Sequence, residues 1–163
     1  MTKKEQIQKD LNEAIKSKVE LNSTVLRMLT ASILNKEKEK RYKLSKENLK
    51  EEELKEKSQL SDEEVVEVVF SEAKKRKESA VEYEKGGRKE LAEKEKKELE
   101  ILQKYLPEQI SQEELEKLTK ETIERVGAKE LKEIGKVMAE LMPKVKGRAE
   151  GGEISKIIKD LLS

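Results

Sequence analysis

Four cations lie within the short stretch from Lys136 to Arg148, namely Lys136, Lys144, Lys146 and Arg148, against one acid, Glu140. The chain as a whole balances 37 Lys+Arg against 36 Asp+Glu, a net charge of +1, so this local excess stands out from a neutral background. Backbone punctuation coincides with it. Pro143 and Gly147 predict a bend from which alternate side chains project, and a glycine admits close approach of a sugar-phosphate strand. The chemistry that follows is electrostatic capture of a phosphate-bearing surface, with Lys136, Lys144, Lys146, Gly147 and Arg148 as the contact residues. The competing reading is an ordinary polar helix connection whose cations sit favourably at a helix C-terminus. Gly135 leans the other way. A glycine inside a helix costs about 1 kcal/mol relative to alanine, which predicts close contact with another backbone.

Other chemistries are constrained by what is missing. With no Cys and no His there is no thiolate nucleophile, no disulfide, no Cys/His zinc site and no side chain titrating near neutrality by default. Carboxylate clusters such as Glu63-Glu64 and Glu51–Glu53 are expected in a chain that is 45% charged, and nothing marks a desolvated general acid. No catalytic residue, metal ligand or cofactor site is assigned. Gly86-Gly87-Arg88 could cradle a phosphate at a helix start, but no phosphate-loop spacing surrounds it, so a two-glycine helix stop is the favoured reading. Arg27, one turn from Thr24, could face a ligand; pairing with Glu13 or another helix is preferred. The aromatic residues are Tyr42, Tyr83, Tyr105 and Phe70, none beside the basic stretch. Stacking of unpaired bases is thereby disfavoured, leaving recognition of a folded RNA by shape and backbone charge.

Elements must position these residues, and their pattern is helical throughout. Ser/Thr-x-x-Glu capping boxes are expected at Thr2/Glu5, Ser17/Glu20, Ser61/Glu64 and Ser111/Glu114. Ile7, Leu11, Ala14 and Ile15 recur at helical spacing, as do Leu21, Val25, Met28 and Leu29, predicting two antiparallel helices with a tight turn near 16–19. Lys36 to Lys57 is dominated by charge, with Leu44, Leu49 and Leu54 as sparse anchors, and reads as a solvated helix extension and mobile connection. A third helix starts at Ser61, passes through the valines at 65, 66, 68 and 69 and stops at Gly86-Gly87; a fourth carries Leu91, Leu99 and Leu102 up to Pro107. The expected architecture is all-α: an N-terminal antiparallel helical domain over 1–108, with a charged connector at about 36–60, and a small three-helix domain over 109–163. In that second domain the basic loop runs from Pro143 and joins two apolar helices. No run of 18 or more apolar residues is present and no basic, apolar leader pattern opens the chain, so a cytoplasmic protein without a membrane span is the default.

Three stretches, STVLRMLTASILNKE, ESAVEYEKGGRKELAEKEKKELEILQKYLPEQIS and GKVMAELMPKVKGRAEGGEISKIIKDLL, together resemble the YqeY-like family, with GRKELAEKE and YLPEQ at the family's spacing. The loop departs from the family pattern in reading GRAEGGEI where a GRADGK-like turn is usual, and the 36–59 stretch is longer and more charged. The resemblance implies an N-terminal helical domain and a C-terminal domain similar to the tail of the tRNA-dependent amidotransferase B subunit, which helps hold tRNA. It therefore implies tRNA as partner and Lys136, Lys144, Lys146, Gly147 and Arg148 as the positions that meet RNA. It also carries an association with carbon–nitrogen ligase activity using glutamine as amido donor. The residues do not support that activity as intrinsic, since the amidase and kinase-like elements are missing and no nucleophile arrangement is present. The expected function is a stand-alone tRNA-binding or tRNA-amidotransferase-like accessory protein. The alternative is a protein–protein interaction module with no RNA ligand, and the sequence leaves the oligomeric state open.

Overall fold

The computed structural model describes residues 1–163, and every regular element in it is helical. Helix α1 spans Lys3–Lys16, α2 Glu20–Leu44, α3 Glu51–Lys57, α4 Asp62–Lys85 and α5 Lys89–Gln103; α6 spans Gln112–Val126, a 3-10 turn at Leu131–Glu133 leads into α7 at Ile134–Val145, and α8 is Gly151–Leu162. The chain is all-α. It separates into two compact units, Met1–Tyr105 and Leu106–Ser163. No helix is long and apolar enough to cross a membrane.

Capping explains most of the helix starts. The Thr2 hydroxyl accepts the Glu5 amide at 3.1 Å while the Glu5 carboxylate accepts the Thr2 amide at 2.8 Å, and Ser61 with Glu64 repeats the exchange at 3.2 and 2.8 Å. Ser111 caps α6 through the Glu114 amide at 3.2 Å. Ser17 does not cap. It closes α1 instead, with its amide still bonded to the Glu13 carbonyl and a backbone near φ −82°, ψ 0°, whereas a capping hydroxyl needs an extended backbone; Lys18 then turns the chain at φ +55° and α2 begins at Glu20 without a side-chain cap.

In the first unit α1 and α2 form an antiparallel hairpin, with Lys4 near the start of α1 paired at 2.6 Å to Glu37 late in α2. Helices α4 and α5 form a second hairpin. Its turn is Gly86-Gly87, where Gly87 sits at φ +72° and the Arg88 amide returns to the Tyr83 carbonyl at 2.8 Å, so the helix stop is structural. The core collects Ile7 and Leu11 from α1, Val25, Leu29 and Ile33 from α2, and Leu102 from α5, around the valines of α4. Of those valines only Val65 and Val69, one turn apart, are completely buried, so the helical period and not β-branching decides the run.

The 36–60 stretch is mostly helical: the expected helix extension is there, and where a mobile connection was expected a short further helix, α3, stands. Lys36 to Leu44 continues α2, and α3 buries Leu54. Charge is what docks it: Glu37 is buried and accepts Lys4 Nζ and the Leu60 amide, Arg41 pairs with Glu51, and Lys40 reaches Glu64 at 2.7 Å. The bond from Lys40, followed by the backbone amide of Ser61, holds the Glu64 carboxyl below its ordinary range. Between α4 and α5, Arg76 stands against two acids, Glu98 at 3.0 Å and Glu95 at 3.4 Å, with Glu98 only 5% exposed. Arg27 is exposed and makes no ion pair, correcting the expected pairing; Glu13 pairs with Lys9 at 4.0 Å.

The second unit packs α6, α7 and α8 around Leu115, Val137, Leu141, Val145, Ile154 and Ile158, all within 2% exposure. Gly127 ends α6 at φ +68°, the left-handed backbone that favours glycine. Gly135 is a different case. A Cβ there would meet nothing within 4 Å, so the expected backbone approach is absent and the residue lies on an exposed face of α7.

Candidate nucleic-acid interface

The basic segment is part helix and part turn. Pro143 does not end α7, which continues through Val145, so Lys144 is a helix residue and the turn proper starts at Lys146. Proline in the last turn forfeits only the bond to the carbonyl four residues earlier, that of the exposed residue Ala139. Beyond it the chain alternates: Val145, Gly147 and Ala149 are buried, Lys144 and Lys146 are exposed, and Arg148 is half-buried. Val145 and Ala149 belong to the core of the unit, and the Ala149 and Arg148 amides both return to the Val145 carbonyl, at 3.2 and 2.9 Å. Gly147 takes φ +73° inside this tight reversal. Two buried apolar side chains thus pin the turn, and the lysines face outward.

A second segment clamps the same turn. The Ile110 amide donates to the Arg148 carbonyl at 3.1 Å, Gln109 Nε2 donates to the Gly147 carbonyl at 2.8 Å, and Arg148 Nε donates to the Glu108 carbonyl at 2.9 Å. Gln109 also donates to the Pro107 carbonyl at 3.0 Å, a short-range bond within its own segment. Glu108, Gln109 and Ile110 therefore hold the turn, and sequence reasoning placed them only at a domain junction. Their partners stand 38 to 40 residues away, beyond any local periodicity. Arg148 is correspondingly a structural residue as well as a cation.

The five expected positions are not equivalent. Lys146, Gly147 and Arg148 are consecutive on the pinned turn, and Lys144 stands just before it in the last turn of α7. Lys136 lies two turns earlier on α7, about 12 Å along the helix from Lys144. Its Nζ is 3.6 Å from Glu133, and that carboxylate also accepts the Lys129 and Glu130 amides at 2.7 and 3.1 Å. Those amides, Lys129 first, keep the Glu133 carboxyl below its ordinary range, so the charge opposite Lys136 persists. Lys144, exposed and without an ion pair, is the least compensated of the group. No aromatic residue lies in the second unit, so its surface has no stacking platform.

A family model for Yqey-like protein matches residues 43–162. The chain belongs to that family. No curated protein matches it. The Yqey-like match runs from the end of α2 through α8, so both the clamp at 107–110 and the basic turn fall inside it, whereas α1 and most of α2 lie before it.

Proposed function

We propose that this Yqey-like chain is a stand-alone, tRNA-binding accessory protein that engages the backbone of a folded RNA through the turn around Lys144, Lys146 and Arg148. The observation that carries the reading is the pinned, outward-facing turn. Its lysines are presented from a backbone fixed by Val145, Ala149 and Gln109, so binding orders little besides the side chains themselves. Phosphate contacts from such a surface position the protein without reading bases, which matches the absence of aromatic side chains there. Amido transfer is not assigned to the chain, which has no Cys or His and shows no nucleophile with an adjacent base.

Titration of total tRNA at several salt concentrations tests the proposal. Neutralising about three phosphates gives a slope near −2 to −3 in the logarithm of affinity against the logarithm of salt. Lys144→Glu with Lys146→Glu flattens that slope and weakens binding at least about tenfold at low salt, with helical content unchanged because both side chains are exposed. Arg148 is left intact in that variant, since its Nε bond shapes the turn. Binding that is absent, or indifferent to salt and to both reversals, refutes the reading. Partners that survive ribonuclease treatment of a lysate while RNA binding is absent favour a protein-docking module.

A further inference from the structure

The last turns of α2 and the loop after it hold a second group of cations, some of them already neutralised. Lys36 pairs with Glu39, Lys40 with Glu64 and Arg41 with Glu51, while Glu37 is taken up by Lys4. Lys38, Lys43 and Lys46 are exposed and make no ion pair. Against them stand the exposed Glu47 and about half a negative charge at the helix C-terminus, so the local excess is positive. Tyr42 lies among these three cations, one turn from Lys38 and one from Lys46. It is 67% exposed, whereas Tyr105 is buried and Phe70 and Tyr83 are half-buried. Lys46 Nζ stands over its ring, 4.9 Å from the centroid. We infer that Tyr42, with Lys38, Lys43 and Lys46, binds an unpaired segment of nucleic acid: a base stacks on the open part of the ring and the lysines take the phosphates to either side.

The ring and the free cations together select that ligand. Three uncompensated lysines attract the phosphates of an anionic strand, and an exposed ring adds a surface for the face of a base. An acidic peptide would use the lysines and leave the ring idle. An anionic membrane would want apolar area beside the cations, but the side chains three and four residues from Tyr42 are Lys38, Glu39, Ser45 and Lys46, all polar. In a duplex the base faces are stacked on one another and out of the ring's reach, so the site prefers single strands. That preference separates it from the basic turn of the second unit, where cations stand without any aromatic side chain. The two surfaces are independent, and Tyr42 needs nothing from Lys144 or Lys146 in order to stack.

Fluorescence anisotropy with a dye-labelled oligouridylate of about ten nucleotides tests the site, with a GC-rich RNA duplex of equal length as the contrast. The host is the full chain carrying Lys144→Gln and Lys146→Gln, so that failure of one surface is told apart from failure of the other. The single strand is expected to bind with a slope of about −2 in the logarithm of affinity against the logarithm of salt, as for three phosphates neutralised. Tyr42→Ala weakens that binding at least about fivefold and leaves duplex binding unchanged, whereas Tyr42→Phe keeps the single-strand affinity within about twofold. Lys38→Glu with Lys43→Glu flattens the slope. Helical content stays constant in each variant, because all three side chains are exposed. No single-strand binding by this host, equal losses for single strand and duplex in Tyr42→Ala, or equal losses in Tyr42→Ala and Tyr42→Phe overturns the inference. Binding to phosphatidylserine vesicles in place of the oligonucleotide overturns it as well.

Discussion

Arg76 and Tyr105 show how single polar side chains govern the first unit. Arg76 faces Glu98 and Glu95, yet its Nε and the Glu98 Oε2 have no aligned hydrogen bond, so the cluster holds by charge more than by geometry. Arg76→Leu leaves Glu98 buried and uncompensated and is expected to lower stability by about 3–5 kcal/mol in urea unfolding, while Arg76→Leu with Glu98→Leu recovers most of the loss. Tyr105 donates to Asp10 at 2.6 Å, and burial, followed by that bond, raises its phenol above the ordinary range. A raised folded pKa stabilises while the phenol stays protonated: the contribution is complete below the unfolded value of about 10 and disappears as pH rises through the folded one. Difference absorbance between the natural chain and Tyr105→Phe should therefore place the Tyr105 phenolate above the ordinary tyrosine range. Appearance of that difference near pH 10 would contradict the burial argument.

At the scale of elements, α7 carries an avoidable cost in Gly135, whose missing Cβ would meet open space. Gly135→Ala is expected to stabilise the second unit by about 0.5–1 kcal/mol, seen as a higher denaturant midpoint at unchanged slope. The same helix shows what was legible in the sequence. Its apolar spacing predicts burial of Val137 and Leu141, because helical period is a local property of the chain. Pro143 misleads, since a proline rule written for helix interiors overlooks a last turn in which the residue losing its bond, Ala139, is exposed. Ser17 misleads because a capping motif in sequence is silent about the dihedral angles that make it a cap. The charged 36–60 stretch hides its packing, because Glu37 and Leu54 dock through partners on other elements. Lys144 and Lys146 were readable as exposed cations, but Gln109 as the support of their turn was not, since tertiary pairing leaves no periodic trace.

For the whole molecule, the division at Tyr105 and Leu106 leaves the second unit with a core of its own. A chain of residues 106–163 is expected to unfold cooperatively on heating. A chain beginning at Ser111 lacks three of the bonds that hold the turn and should melt several degrees lower, because roughly 1 kcal/mol per net hydrogen bond is a large share of so small a unit's stability. Coincident melting of the two fragments would show that the clamp at 107–110 adds nothing. The strap at Pro107–Ile110 has one more consequence. It is the leading edge of its unit, where backbones fray most readily, and the turn it braces is far along the chain. Proteolytic nicking or local melting at that edge would slacken the cationic turn without altering a single lysine, so control of this surface can be exerted from outside it.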